Sequence, residues 1–564
     1  MNRHTLWYII TVVIQKVLGI FSWKQTSVRS AATVLMVMVA LSRVLGLFRD
    51  RLLAARFSPE ELGVYFAAFR IPNLIFELLV MGALTAAFIP VFTRFASEEK
   101  KEEGWRLSST LIHACSILFG VISVPMLLFT DQMSRALAPG FSPDQIQLMS
   151  MFTRIMIVGQ VFPLLIGNFF TGILQSFHLF FAPAAAPVVY NIGIIGAIIF
   201  LSSGFGLYAP VIGIVIGAFL FIAIQIPSLI VIGYRHRLEL NMHHAGVKEV
   251  VTLMVPRMIG LAISQIDTTV DLILSTLLGA RMVTIFYFAQ HLYQFPIGLF
   301  GVTVAQAAFP MMSQAAAKND DKAMEKTIGS AINQALFFIF PITALFLVLR
   351  IPIVRLVFGA SRYDWEATVL TGLTLSAFAI SLFTQAISQI VTRAFYALLD
   401  SKTPVIIGVV SIILNASLSA IFILYFHFSV WSLAISTSIA SIVNTVILVI
   451  VLVRKMGTLS WKTLISSPLR MAVAAGIMVG ILFVPLKLLD QLIFDTSRIS
   501  GLILLTGITS FIGLAWYWFL VWVFGVTEAR VFFRLLEKFR KGKPLPLEPA
   551  AEIVSNGAQD APVS

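Results

Sequence analysis

The chain has 564 residues, 58% of them hydrophobic and 12% charged, against about 25% charged in an ordinary soluble domain. This excludes a soluble globular protein and points to a polytopic membrane protein whose main solvent is lipid. The formal charge of +13 does not mark a nucleic-acid binder, because the Lys and Arg residues lie mainly in short connections between apolar runs and in the tail, where the positive-inside rule accounts for them.

Residues 1–26 read as an N-terminal interfacial segment. The run from Leu6 to Trp23 is apolar but is interrupted by Gln15 and Lys16, and it lacks the small-residue site of a cleaved signal peptide. After Lys24 come about fourteen apolar segments of about 20 residues, the length of a membrane-spanning helix. Their cores lie near 28–56, 63–93, 106–130, 150–176, 183–203, 208–233, 250–278, 283–313, 330–349, 366–397, 403–426, 430–453, 464–487 and 500–525. The single cysteine, Cys115, sits in the third of these and reads as a packing residue, so no disulfide or cysteine-cluster metal site is expected.

With the N-terminus in the cytoplasm, the charged connections RFASEEKKEEGWR (94–106), YRHRLELNMHHAGVKE (234–249), AKNDDKAMEK (317–326) and RKMGTLSWK (454–462) all fall inside, and so does the C-terminal tail. Arg350, Arg355 and Arg362 on an outer connection are the main exception. Residues 527–564 read as a basic and then disordered cytoplasmic tail.

An internal repeat divides the rest. GALTAAFIPVF (82–92) is matched about 220 positions later by TVAQAAFPMMS (303–313), and FFAPAAAPVVYN (180–191) by LLDSKTPVIIG (398–408). The expected fold is all-α: an N-lobe of six helices (27–235), a pseudo-symmetric C-lobe of six (236–455) and two further helices (456–526). Transporters with such repeats hold their substrate at the repeat interface.

Four stretches carry a resemblance. SRVLGLFRDRLLAARF (42–57), FRIPNLIFELLVMGALTAAFIPVFTRF (69–95), FYFAQHLYQFPIGLFGVTVAQAAFPMMSQ (286–314) and RAFYALLDSKTP (393–404) resemble, in order and spacing, the MurJ (MviN) family. That family comprises lipid II flippases of peptidoglycan synthesis within the multidrug/oligosaccharidyl-lipid/polysaccharide exporter superfamily. The resemblance implies two lobes facing a central cavity, a groove along the last two helices for the lipid tail, and alternating access. It also implies lipid II, an undecaprenyl pyrophosphate carrying a disaccharide-pentapeptide, as substrate.

A membrane span that carries Arg43, Arg49, Asp50, Arg51 and Arg56 needs a reason, since each intramembrane charge costs about 3 kcal/mol. The planar guanidinium fork suits a pyrophosphate, and the family motif maps onto Ser42, Arg43, Gly46, Arg49 and Asp50. Arg43, Arg49 and Asp50 are therefore expected at the headgroup, with Asp50 holding an arginine when substrate is absent. Arg43 and Arg49 lie about 120° apart on a straight helix, so Gly46 is the expected hinge if both are to reach one phosphate. Arg51 and Arg56 read as snorkelling to the interface. In the second span, Arg70 and Glu77 are expected on one face of the cavity; relatives add charges deeper in that span, where this chain has Phe76 and Met81. His291 stands where relatives have an arginine. It reads either as a headgroup ligand, whose charge depends on pH, or as a packed histidine with the cation supplied by Arg154, Arg257 or Arg393.

SQIDTTVD in the seventh span places Asp267 and Asp271 one helical turn apart. Asp271 with Asn415, Ser419, Ser436 and Thr437 offers oxygen ligands for a hard cation. The alternatives are a Na+ or H+ coupling site and a static salt bridge such as Asp267 to Arg257. His236, His243 and His244 read as a solvated loop. The sequence holds no Walker motif and no nucleophile constellation, so neither a catalytic residue nor a cofactor is expected.

The first expectation is thus a lipid II flippase of the bacterial cytoplasmic membrane with both termini inside. Its expected partners are lipid II, membrane lipids and cell-wall synthesis proteins. A flippase for another undecaprenyl-linked saccharide, a drug/cation antiporter of the same superfamily and a membrane-embedded glycosyltransferase are the alternatives.

Overall fold

The computed structural model describes residues 28–529 apart from 82–86, 96–99, 360, 458–459 and 497. The expected interfacial segment 1–26 and nearly all of the tail 527–564 lie outside the described residues. The regular structure is helical throughout the described residues, as lipid demands of a chain whose backbone N–H and C=O groups must pair internally. The long elements of the first half are α1 Val28–Arg56, α2 Pro59–Val80, α3 Lys101–Leu128, α4 Pro143–Ser176, α5 Phe181–Phe205, α6 Tyr208–Val231 and α7 Ala245–Leu277. There follow α8 Ala280–Ala317, α9 Asp321–Val348, α10 Trp365–Ala379 continued after a 44° bend by Leu382–Ala397, α11 Lys402–Tyr425, α12 Trp431–Met456, α13 Trp461–Leu492 and α14 Ile499–Val523. Among the described residues eleven of these are long and apolar enough to cross a membrane, or twelve with bent α10 counted as one span; α1 and α7, the other two of the expected fourteen, contain residues whose side chains lie outside the described ones.

Packing divides the chain into two units, Met1–Thr284 with Ala360–Tyr363, and Ile285–Gly359 with Asp364–Ser564. By packing α7 belongs to the first unit, whereas the sequence repeat begins its second half with α7.

In the first unit, small residues let helices approach closely. A Cβ on Gly193 of α5 would lie 2.7 Å from Gly217 Cα of α6, the close helix crossing that small residues permit in membranes. The start of α2 is fixed by a capping box of Ser58 and Glu61, by Arg281 paired with Glu60 at 3.1 Å, and by Thr284 Oγ1 donating to Pro59 O at 2.6 Å. The loop histidines are not merely solvated. His236 Nε2 lies 3.1 Å from His113 Nε2 of α3, and His244 Nδ1 accepts the Gly246 N–H to cap α7.

In the second unit, the bend of α10 is lined with hydroxyls that take up carbonyls at the break. Ser438 Oγ donates to Ala377 O at 2.7 Å and Ser381 Oγ to Phe378 O at 3.0 Å, while Tyr293 Oη of α8 lies 3.2 Å from Ser381 Oγ. The outer Arg355 has a local partner set as well, donating to Thr496 O at 2.9 Å and lying over the Trp365 ring. Asp400, in the connection before α11, accepts from Thr403 N at 3.0 Å, Thr403 Oγ1 at 2.8 Å and Lys455 Nζ at the end of α12. The Lys455 hydrogen bond, followed by those from Thr403, holds the Asp400 carboxyl down at about 2, below its ordinary range near 3.9. A depressed carboxylate stabilises the fold above the unfolded-state pKa and loses that contribution as pH falls through the folded one. Asp400→Asn is therefore expected to lower the unfolding temperature at pH 7, with the difference from wild type shrinking between about pH 4 and pH 2; thermal unfolding in detergent across that range measures it.

The repeat is visible in local structure. VYFAAFR (64–70) aligns with IFYFAQH (285–291), about 220 residues apart, which puts Arg70 and His291 at the same position of the two halves. Each is followed by a π-helical turn, Glu77–Met81 and Ile297–Val302, a feature frequent at functional sites.

Candidate functional site

The charges of α1 are gathered against α5. Asp50 is fully buried, and Arg49 folds back onto it, with Nη2 at 2.7 Å and Nε at 2.9 Å from Oδ1. Neighbouring side chains diverge on a helix, and only a side chain as long as arginine can reach back in this way. Arg49 Nη1 also donates to Asn191 Oδ1 of α5 at 3.3 Å. The Asn191 amide in turn donates to Ser42 Oγ at 3.2 Å and Pro187 O at 3.1 Å. One turn of polar groups therefore ties Ser42, Arg49, Asp50 and Asn191 together. Arg43 is not drawn in: it is exposed and makes no ion pair among the described residues. Helix α1 runs unbroken through Gly46, where an added Cβ would meet nothing within 4 Å.

Arg70 sits just past a break in α2 at Phe69. Pro72 lacks the N–H that would reach Ala68 O, and Thr153 Oγ1 of α4 donates to that carbonyl instead, at 3.1 Å. The Arg70 side chain is 7% exposed and turns toward α7, with Nε donating to Thr269 Oγ1 at 2.9 Å and Nη2 to Gln265 O at 2.6 Å. Glu77, half-buried at the start of the π-helical turn, is near enough for its charge to act on Arg70, yet the two make no ion pair. No salt bridge joins the expected pair among the described residues.

His291 lies on α8 in the second unit, its ring centroid 4.2 Å from that of Tyr287 one turn earlier. Of the alternative cations, Arg154 pairs with Asp131 at 3.1 Å and Arg393 donates to its own helix at Gln389 O, 3.0 Å; the side chain of Arg257 lies outside the described residues. Asp271 is buried in the first unit. Asn415, Ser419 and Ser436 are buried in the second, where Ser419 and Ser436 hydrogen-bond to each other. Ser436 and Thr437 both donate to Leu433 O, at 2.8 and 2.9 Å.

Sequence reasoning missed three polar partners: Asn191, Thr269 and Gln265. Asn191 and Thr269 are polar side chains that in lipid must find a partner, Gln265 contributes only its backbone carbonyl, and the sequence marks PVVYN (187–191) only as part of the repeat and SQIDTTVD (264–271) only by its carboxylates.

Two similar halves of membrane helices, each with a conspicuous basic position on its second span, define a polytopic α-helical transporter. Its fold is shared with a multidrug resistance transporter of the MATE family in an inward-facing conformation, at 15% identity, a TM-score of 0.62, and 75% of this chain against 98% of that one. A solved structure of lipid II flippase MurJ in an inward closed conformation is more similar, at 25% identity and a TM-score of 0.71, covering 86% of this chain and 98% of that one. The family profile described as "Lipid II flippase MurJ" matches residues 57–520, and the chain belongs to that family. Among relatives, "Probable lipid II flippase MurJ" of Bdellovibrio bacteriovorus is 26% identical over 83% of this chain and 90% of its own length. "Lipid II flippase MurJ" of Burkholderia cenocepacia is 26% identical over 68% and 76%.

Proposed function

We propose that this chain is a lipid II flippase, a transporter and not an enzyme. It carries the undecaprenyl-pyrophosphate-linked peptidoglycan precursor from the inner to the outer leaflet of the bacterial cytoplasmic membrane by alternating access. Family membership over residues 57–520 supports the substrate, and one structural observation carries the chemistry. Arg49 and Arg70 are guanidinium groups within membrane helices, one held by a buried carboxylate and an amide, the other by a hydroxyl and a carbonyl. Such groups suit the diphosphate of a lipid-linked sugar, whose polar head must pass where water is scarce.

In this reading Arg43, Arg49, Asp50, Arg70, Glu77 and His291 serve the headgroup, Gly46 is the point at which α1 flexes, and both termini are cytoplasmic. Membrane lipids surround the spans, and cell-wall synthesis proteins receive the product. Reconstitution in vesicles tests the function: lipid II placed inside is expected to become accessible outside only when the chain is present. Accessibility of a different undecaprenyl-pyrophosphate saccharide, with lipid II left inside, would transfer the assignment to that substrate.

Coupling to Na+ or H+ through Asp271, Asn415, Ser419, Ser436 and Thr437 is part of the proposal, supported by the burial of a carboxylate in a membrane helix. Asp271→Ala is expected to remove the dependence of lipid II exposure on a cation gradient while leaving the protein folded; an unchanged dependence would end the coupling assignment.

A further inference from the structure

We propose that Thr269 is a positioning residue for the lipid II diphosphate, fixing which edge of the Arg70 guanidinium is offered to it. The inference rests on the flippase reading above and adds a residue from outside the charged set. The hydroxyl of Thr269 donates to Gln265 O at 2.7 Å, so its proton is committed and its lone pairs face Arg70 Nε at 2.9 Å. Gln265 O also accepts from Arg70 Nη2 at 2.6 Å. One carbonyl and one hydroxyl, a single turn apart on α7, therefore dock the Nε/Nη2 edge of the guanidinium.

Arginine has five N–H donors in a rigid fork. With two committed to α7, the remaining three, on Nη1 and Nη2, form the opposite edge and have no acceptor among the described residues. That edge has the spacing for two oxygens of a phosphate. Backbone and side chain are held from different helices, since Thr153 of α4 takes the carbonyl that Pro72 releases. A largely buried guanidinium that pairs with no carboxylate among the described residues is costly. The charge of Glu77 acts on it without an ion pair, and an arriving anion adds direct hydrogen bonds to that countercharge.

The test uses the full chain purified in detergent. Lipid II affinity is read from titrated thermal unfolding, and lipid II exposure is read in cells at matched membrane levels. Thr269→Val keeps the β-branched shape and loses the acceptor; Thr269→Ser keeps the acceptor. Thr269→Val is expected to weaken lipid II binding about tenfold, the range for a hydrogen bond to a charged group, with the ligand-free protein still folding. Thr269→Ser should bind as wild type does, and in an Arg70→Ala background Thr269→Val should have no further effect. Equal losses in the Val and Ser variants, wild-type binding by Thr269→Val, or an undiminished Thr269→Val effect without Arg70 would each overturn the inference. Wild-type protein that neither binds nor exposes lipid II would refute the flippase reading and this inference with it, whereas wild-type activity with an inert Thr269→Val refutes this inference alone.

Discussion

Arg49→Ala is expected to abolish lipid II exposure, with a loss of at least about a hundredfold. Arg49 is closed on a fully buried Asp50 and on Asn191. On the headgroup assignment proposed above, removing it deletes a donor to the diphosphate and takes the guanidinium away from Asp50. Charge-assisted hydrogen bonds contribute about 1.5–3 kcal/mol each, and a guanidinium makes more than one, so a factor of a hundred is the lower bound. Arg49→Lys retains the charge but loses the fork and is expected to fall between the two. Scoring exposure at equal membrane abundance, with the unfolding temperature alongside, separates lost transport from lost folding. Full activity of a well-folded Arg49→Ala protein would remove this residue from the headgroup site.

The second large effect is expected at His291. Its position matches Arg70 in the repeat. His291→Ala should reduce lipid II exposure by about tenfold or more, the effect of losing a charge-assisted hydrogen bond, whereas His291→Arg should retain it. Rates of lipid II exposure at matched membrane levels measure both effects, and wild-type rates in His291→Ala would leave the histidine as a packing partner of Tyr287.

The sequence made the helices and their order legible because apolar length is set by bilayer thickness. The core expected at 183–203 lies inside α5, and the one expected at 430–453 starts one residue before α12. The first-span motif pointed to Arg49 and Asp50, which the fold does bring together. It could not show that Asn191, far along the chain, would complete their hydrogen bonds, because a helix-to-helix contact leaves no spacing signature in sequence. Likewise the seven-residue spacing of Arg70 and Glu77 placed them on one face, yet Arg70 turned away to Thr269 and Gln265. Spacing fixes the direction of Cβ, while the acceptor that a long side chain selects depends on the neighbouring helix.

The account is tested most directly by expressing this chain in a bacterium depleted of its own lipid II flippase and measuring how much lipid II reaches the outer leaflet. The account predicts restored growth and restored outward lipid II with wild type, and neither with Arg49→Ala at the same membrane level. Wild-type protein that is inserted and abundant while lipid II stays in the inner leaflet would contradict it.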